Sequence, residues 1–290
     1  MNDTSIAPHV EHAQDVCALP LARRLAAMLN RNPALLREGD PLPRGWHVML
    51  FNVPTLQSQL RHDGAASLGV TLPDLGLPRL MLAGRQLRFD SDIPLGAQVR
   101  RETRQGGVQM KQGRSGRFAL VKIEHLIFVQ GSTAAAVVET QDYVLREAAA
   151  ATPAAATAPA PAAETGQAAP RPDASLTITP DEALLFRYSA ITDNPHRIHY
   201  DKAYATQTEG YPALVVNGSI PAMFLLELFR TAAGREPAAF TSRNVAPMFC
   251  GSPLQLKVLQ QDGIDGTKGK SWRLWAENDS GSTTFDAHAE

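Results

Sequence analysis

Cysteine is scarce in this chain of 290 residues, which has only Cys17 and Cys250. Scaffolds held by disulfides are short and dense in cysteine, so this usage excludes that class and favours a reduced, cytoplasmic chain. The two thiols lie far apart in the sequence, and no cysteine and histidine spacing matches a zinc site. We therefore expect a cytoplasmic protein without a bound metal.

Charge of one sign, aromatic residues and long apolar runs are also lacking. The formal net charge is −1, from 28 basic and 29 acidic residues, and aromatics make up 6%. This balance provides no attraction of the whole chain to nucleic acid or to an anionic membrane. No apolar run approaches a membrane span, and the N-terminus lacks the apolar region of a signal peptide. We expect neither a nucleic-acid partner nor a membrane partner.

A long stretch of alanine, proline and threonine divides the chain. The segment 148–174 has almost nothing to bury, and its prolines block regular structure, so it predicts a flexible linker. The chain as a whole is 44% apolar, enough to form a substantial core. The predicted domains are therefore an N-terminal half, 13–147, and a C-terminal half, 175–290.

Both halves show helical patterns before runs of strands. The N-terminal half has helical spacing from Val16 to Leu29, and the C-terminal half predicts helices over 181–189 and 219–230. Turn signals such as Gly106-Gly107, Gly113 and Gly131-Ser132 separate the predicted strands. The strands are 81–90, 97–104, 117–129 and 134–145 in the first half, and 243–250, 253–260, 271–276 and 282–289 in the second.

The helix predicted over 219–230 is apolar on almost every side, which indicates a buried helix, and Ser219 is its expected N-cap. An antiparallel sheet wrapped around one buried helix would satisfy it, an arrangement called the hot-dog fold. Two such halves in tandem predict an α+β double hot dog. In the first half, Gly84 beside Arg85 indicates either a close backbone approach or a strand bulge.

The densest polar segment lies just before that helix. It contains Asp193, Asn194, His196, Arg197, His199, Tyr200 and Asp201, and Gly218 and Ser219 open the helix further on. A compact cluster of acids and bases followed by a helix start indicates proton transfer beside a group that develops negative charge.

Several strings in this region and elsewhere form a distinctive set. They are Arg187-Tyr188-Ser189-Ala190, Asn194, His196-Arg197-Ile198-His199-Tyr200-Asp201, Tyr204-Ala205 and 209–216, with Trp46-His47, Pro78-Arg79, Ala83-Gly84, 113–116 and Leu274-Trp275-Ala276 elsewhere. In these residues the chain resembles the MaoC-type double hot-dog acyl-CoA hydratases, and within them the branch of mesaconyl-C4-CoA (3-methylfumaryl-CoA) and itaconyl-CoA hydratases. Where that branch usually reads Val-Val-His-Gly, this chain has Val215-Val216-Asn217-Gly218.

The resemblance implies a hydratase or dehydratase (a hydro-lyase) that adds water across the double bond of an enoyl-CoA. The implied protein is a homodimer that needs no cofactor besides the coenzyme A of its substrate. His199 is the predicted base because imidazole titrates near neutrality. Its partner stays open among Asp193, Asn194 and His196, and the Gly218 amide is expected to bind the thioester oxygen.

Other residues are predicted to bind the substrate. Arg197 suits a carboxylate on the acyl group or a phosphate of coenzyme A, or else an ion pair with Asp193 or Asp201. Arg114 lies in a basic run that suits the phosphates of coenzyme A, or else forms a solvated hairpin face. Trp46 is assigned to the acyl pocket, with the core as its alternative. The set is completed by His196, Tyr200 and Asn217.

The sequence is also compatible with two rival functions. One is a hot-dog thioesterase, which would hydrolyse the thioester instead of hydrating the alkene. The other is a non-catalytic acyl-CoA-binding protein, in which Thr192 and Asn217 mark the loss of the chemistry.

Overall fold

The computed structural model describes residues 10–66, 70, 72, 75–113, 116–147, 171–262 and 270–290. Each half contributes five strands and begins with a short strand, followed by a helix. The first half contains β1 (Val10–Val16), α1 (Leu19–Met28), β2 (Arg79–Phe89), β3 (Gln98–Gly113), β4 (Gly116–Val129) and β5 (Val137–Arg146). The second contains β6 (Ala174–Ile178), α2 (Glu182–Thr192), α3 (Ser219–Ala233), β7 (Ala239–Asn244), β8 (Leu254–Asp262), β9 (Lys270–Glu277) and β10 (Thr283–Ala289).

One antiparallel sheet runs through both halves. Its ten strands follow the order β1-β3-β4-β5-β2-β7-β10-β9-β8-β6. The pairing of β2 with β7, from Gly84↔Arg243 to Arg88↔Ala239, joins the two halves edge to edge. This α+β architecture agrees with the predicted double hot dog. No helix in the described residues is long and apolar enough to cross a membrane.

Helix α3 forms the centre of the second half. Leu225, Leu226 and Phe229 have no exposed surface, and the helix packs against β6, β8 and β9. The helix begins at Ser219, as predicted, and ends at Ala233. Gly218 occupies its N-cap position, and Asn217 Oδ1 accepts from Ser219 N at 3.1 Å. The prediction of Ser219 as the N-cap is therefore wrong.

The first half has only short helices at the corresponding place among its described residues. After α1, these are three-residue to four-residue 3-10 turns, of which Trp46–Met49 is the most buried. Helix α1 itself packs against α2 through a buried face that includes Leu25 and Ala26. The two halves therefore share a strand order but differ in the size of the helix they enclose.

The expectation that each half begins with a helix is wrong. Val16 belongs to β1, which pairs with β3, and β6 pairs with β8 at the opposite edge of the sheet. Both edge strands are short, and the periodicity of the following helix masks them. Strand β6 starts at Ala174, the last residue of the predicted linker; residues 148–170 of that linker lie outside the described part of the chain.

Two predicted strand limits also change. The expected strand 243–250 is wrong, because β7 ends at Asn244; Pro247, which has no N–H to donate to a ladder, follows soon after. The turn expected at Gly106-Gly107 is instead a bulge within β3, where the pairing with β4 shifts between Gln105 and Val108. The bulge lets β3 continue to Gly113, where the chain reverses into β4.

Gly84 combines both features expected of it. The register of β2 against β5 shifts between Leu82 and Gly84, and a Cβ on Gly84 would lie 2.5 Å from the Ser242 carbonyl oxygen. The obstacle is backbone, so the two strands must separate to admit a side chain.

We expect Gly84→Ala to lower the free energy of unfolding by about 1–3 kcal/mol, as overpacking typically does. Gly107→Ala is the matched control, because a Cβ there meets nothing within 4 Å, and we expect it to change stability by less than about 0.5 kcal/mol. Urea denaturation of both variants measures the difference. Equal losses would show that the close approach at Gly84 is not a constraint.

Candidate active site

His199 lies at the end of a 3-10 turn, Arg197–His199, and is only 7% exposed. Its Nδ1 is 2.7 Å from the Val215 carbonyl oxygen. A carbonyl can only accept, so Nδ1 carries the proton and Nε2 presents a lone pair. Burial lowers the pKa of His199 to about 4; the Val215 hydrogen bond opposes this shift and the nearby His196 adds to it. The ring is therefore neutral near pH 7, as a general base requires.

The three expected partners of His199 do not hydrogen-bond to its ring. His196 makes an edge contact with it, with ring centroids 5.6 Å apart. Asn194 Oδ1 accepts from the His196 backbone N–H at 3.2 Å and so shapes the loop. Asp193 is exposed at the end of α2, in a left-handed conformation with φ of 46°. The group that orients His199 is the Val215 carbonyl, which sequence analysis did not identify.

Asp63, from the first half, supports this loop and was also missed. Its carbonyl oxygen accepts from Arg197 N at 2.8 Å, and its carboxylate lies 3.9 Å from His196 Nε2. Burial opposes ionisation of Asp63, but hydrogen bonds from Ala65 N and from the Arg61 side chain hold its pKa below the ordinary value. The segment around Asp63 has no periodic pattern, so its sequence gives no signal of this role.

The start of α3 offers an open amide. Asn217 accepts from two N–H groups, through Oδ1 from Ser219 and through its carbonyl from Ile220 at 2.9 Å. The Gly218 N–H donates no hydrogen bond within the described residues. Val215, whose carbonyl holds His199, comes three residues before Gly218 in the sequence. The imidazole and the open amide are thus tied to the same short connection, at the positive end of a buried helix.

A small cavity of about 20 Å³ lies beside this helix start and is bounded by both halves. Gly218 and Ser219 line one side, and Arg85 and Asn244 line the wall formed by β2 and β7. Asn244 Nδ2 donates to the Leu82 carbonyl at 3.0 Å, which fixes the amide against Gly218. The junction between the halves therefore forms part of the wall of this cavity, which Gly218 lines and His199 does not.

Charged side chains lie unexpectedly on the inner face of the first half. Glu139 Oε2 is 3.1 Å from His47 Nε2, and its Oε1 is 2.8 Å from Gln141 Nε2 and 3.5 Å from Arg85 Nη1. Burial alone would raise the pKa of Glu139, but Arg85 and His47 hold it far below the ordinary value. We call His47, Arg85, Arg101, His125 and Glu139 the buried polar cluster.

His125 is the neutral member of the buried polar cluster. Its Nδ1 lies 2.9 Å from Thr103 Oγ1, and burial lowers its pKa to about 4, although Glu139 opposes this shift. A neutral imidazole can be buried at this position at low cost, whereas a charged one would lack a close partner.

The remaining predicted binding residues fall into different places. Arg197 pairs with Asp201, 2.8 Å from Nη2 to Oδ2, which is the ion-pair alternative, and it stacks on the Tyr204 ring. Tyr200 is 53% exposed. Trp46 is fully buried and its Nε1 donates to Glu227 at 3.0 Å, which is the core alternative. Arg114 lies outside the described residues.

Among the described residues, no group of three or more histidine, cysteine, aspartate or glutamate side chains could hold a metal ion. The rings of His196 and His199 meet edge to face. Both cysteines are free thiols, and burial raises the pKa of Cys17 to about 12.

Comparisons with known proteins identify the family of the chain. Residues 45–250 match the family model for hydroxyacyl-thioester dehydratase type 2. The chain is 36% identical over 282 residues to a protein named mesaconyl-C(4)-CoA hydratase from Chloroflexus aurantiacus, covering 97% of this chain and 94% of that protein.

Solved structures share the fold. A MaoC-like dehydratase from Phytophthora capsici superposes with a TM-score of 0.67 at 13% identity, covering 97% of this chain and 94% of that one. A Mycobacterium tuberculosis protein described as having a double hot-dog fold superposes with a TM-score of 0.61 at 15% identity, covering 99% and 96%. The predicted double hot-dog fold is confirmed.

The chain belongs to the hydroxyacyl-thioester dehydratase type 2 family. It is therefore an enzyme of the hydratase and dehydratase class that acts on acyl thioesters, as its resemblance to the MaoC-type hydratases predicted.

The buried histidines predict how stability depends on pH. His199 and His125 each have a pKa near 4 in the folded chain, against an ordinary value of 6.5. The unfolded chain therefore takes up protons that the folded chain does not. We expect the free energy of unfolding to fall as pH drops from about 6.5 to about 4, by about 1.4 kcal/mol per pKa unit for each histidine at most. Urea denaturation across this range measures the slope, and a flat profile would contradict the assignment.

Proposed function

We propose that this enzyme adds water across the double bond of an enoyl-CoA with a branched dicarboxylic acyl group, such as mesaconyl-C4-CoA or itaconyl-CoA, or removes water in the reverse reaction. The single observation that carries the proposal is the neutral, buried His199 held on the same connection as the open Gly218 amide. The name of the Chloroflexus aurantiacus relative supports the class of substrate.

In the proposed mechanism, Nε2 of His199 takes a proton from water as the water oxygen attacks the β-carbon of the enoyl group. The electron pair of the double bond moves toward the thioester, whose oxygen becomes enolate-like. The Gly218 N–H donates to that oxygen, with the dipole of α3 behind it. The histidinium then gives its proton to the α-carbon, which completes the addition.

The low pKa of His199 suits the second of these steps more than the first. A ring that titrates at about 4 is a modest base, but its protonated form is a strong acid in a site that disfavours its charge. The proton therefore returns readily to the α-carbon. In the reverse reaction, stabilisation of the enolate by the Gly218 amide offsets the weakness of the base.

The proposal also covers the location of the enzyme, its oligomeric state and its substrate-binding residues. We place the enzyme in the cytoplasm as a homodimer that uses no metal and no cofactor besides substrate coenzyme A. In this proposal, Arg114 and Arg197 serve the phosphates of coenzyme A, and His196, with Asn194 shaping the loop, adjusts the position of His199. Asp193, Tyr200 and Asn217 complete the surroundings of the acyl-CoA.

His199→Asn separates catalysis from folding. Asparagine Nδ2 can replace Nδ1–H as the donor to the Val215 carbonyl, but asparagine has no basic nitrogen. We expect hydration, measured as loss of the conjugated enoyl absorbance, to fall about 10²–10⁴-fold while the thermal midpoint stays close to that of the parent. His12→Ala, on the exposed edge strand β1, is the control and should retain full activity.

The same assay distinguishes the rival functions. Release of free thiol without loss of the enoyl absorbance would identify a thioesterase. Tight binding of enoyl-CoA without either change would identify a non-catalytic binding protein. Full activity in His199→Asn would remove the histidine from the mechanism.

Gly218→Ala tests the amide. A Cβ at this position would lie 2.6 Å from Asn244 Oδ1, and Asn244 is fixed by its hydrogen bond to Leu82. The helix start must shift and displace the N–H, so we expect kcat to fall about 10–10³-fold, up to the loss that removal of an oxyanion donor typically causes. Gly107→Ala, which meets no neighbour, should leave kcat unchanged. Equal kcat in both variants would show that the amide does not act on the reaction.

A further inference from the structure

Arg85 is a half-buried cation, with 19% of its side chain exposed, and its hydrogen-bonding capacity is only partly used. Its Nε is shielded from solvent and has no hydrogen-bond partner among the described residues. Its guanidinium forms an ion pair with Glu139, with 3.5 Å between Nη1 and Oε1. The oxygens of Glu139 have closer partners in His47, at 3.1 Å, and Gln141, at 2.8 Å.

This arginine stays charged although it is shielded. Burial alone would lower the pKa of its guanidinium, but Glu139 raises it above the ordinary value. A buried donor without a partner costs free energy, and a guanidinium is a donor that matches carboxylate geometry. The site is therefore short of an acceptor, preferably an anionic one.

Strand register places Arg85 next to the open amide. Arg85 pairs with Ser242 across the β2–β7 junction, and Asn244, two residues along β7 on the same face, touches Gly218. Tyr188, which is buried, also interacts electrostatically with Arg85. Arg85, Gly218 and Ser219 all line the same cavity.

We propose that Arg85 binds the free carboxylate of a dicarboxylic acyl-CoA whose thioester oxygen is held by the Gly218 amide. This inference rests on the proposed hydration of an enoyl-CoA and names the residue that selects its acyl group. The second half supplies the base and the oxyanion donor, and the first half supplies the anchor. A substrate with a methyl group in place of the carboxylate leaves the buried donors unpaired, which is the strong form of discrimination.

Entry of the acyl group needs a small rearrangement. The cavity of about 20 Å³ holds roughly one water molecule, less than a carboxylate-bearing chain requires. Met223 lines it, and an unbranched methionine can change rotamer at low cost to enlarge the space. Leu226 lines the same wall but is branched and packs closely against Gly45.

Arg85→Gln tests the anchor with two substrates of matched shape. These are 3-methylfumaryl-CoA and 3-methylcrotonyl-CoA, which has a methyl group where the first has the free carboxylate. We expect kcat/KM for the free acid to fall at least about 100-fold, as loss of a charged recognition contact typically causes. The value for the methyl analogue should change less than about threefold.

Arg101→Gln is the matched control. Arg101 belongs to the same buried polar cluster, and its Nε is likewise buried without a partner among the described residues. It does not line the cavity; its guanidinium lies over the Phe51 ring, 5.0 Å from the centroid. We expect Arg101→Gln to lower the thermal midpoint while leaving the ratio of kcat/KM for the two substrates unchanged.

The outcomes separate this inference from the proposed function. Equal losses on both substrates in Arg85→Gln, or the same change of ratio in Arg101→Gln, would overturn the anchor. If the parent enzyme hydrates neither substrate, the proposed function fails. Arg85 is then judged by calorimetric binding of the saturated pair, methylsuccinyl-CoA and isovaleryl-CoA. A preference for the free acid that disappears in Arg85→Gln supports the anchor, and no preference in the parent overturns it.

Discussion

The pairing of β2 with β7 is the interaction on which the arrangement of the site depends. It turns two five-stranded halves into one sheet and places Arg85, from the first half, opposite Ser242 in the second. The same junction lets Asn244 reach the Leu82 carbonyl and pack against Gly218. Gly84 permits this approach because it has no side chain to separate the strands. Without the junction, the helix start and the buried polar cluster would belong to separate surfaces.

Burial acts on both halves of the site but produces opposite states of charge. Desolvation penalises the charged form of every group. His199 gives way, because its ordinary pKa is near neutrality, and becomes a neutral base. Arg85 does not, because the ordinary pKa of a guanidinium lies far above neutrality and Glu139 compensates the cost of burial. Burial therefore leaves the second half with a lone pair that can accept a proton and the first half with a fixed cation that can recognise an anion.

The parts of the fold that the sequence predicts correctly are those with a strong local pattern. The apolar run of α3 and the alternation of β4 are long enough to outweigh competing signals. The edge strands β1 and β6 were missed because they have only seven and five residues and precede helices with clearer periodicity. The strand predicted at 243–250 is wrong because the prediction followed the apolar content of the segment and gave too little weight to Pro247, which interrupts strands.

The residues of the site likewise differ in whether local sequence or only the tertiary structure reveals them. His199 and Gly218 lie in one distinctive string, so sequence alone identified both as candidates. Asp63, the Val215 carbonyl and Arg85 reach the site only through tertiary pairing, which no local pattern reveals. The sequence nevertheless contains a weaker signal of the charged interior. Glu139 alternates in β5 with the same face as Val137 and Tyr143, which is the face that points inward. A charged side chain at an inward-facing position needs a buried partner. When a predicted strand has such a charge, we therefore expect an oppositely charged residue on a neighbouring strand to face the same interior.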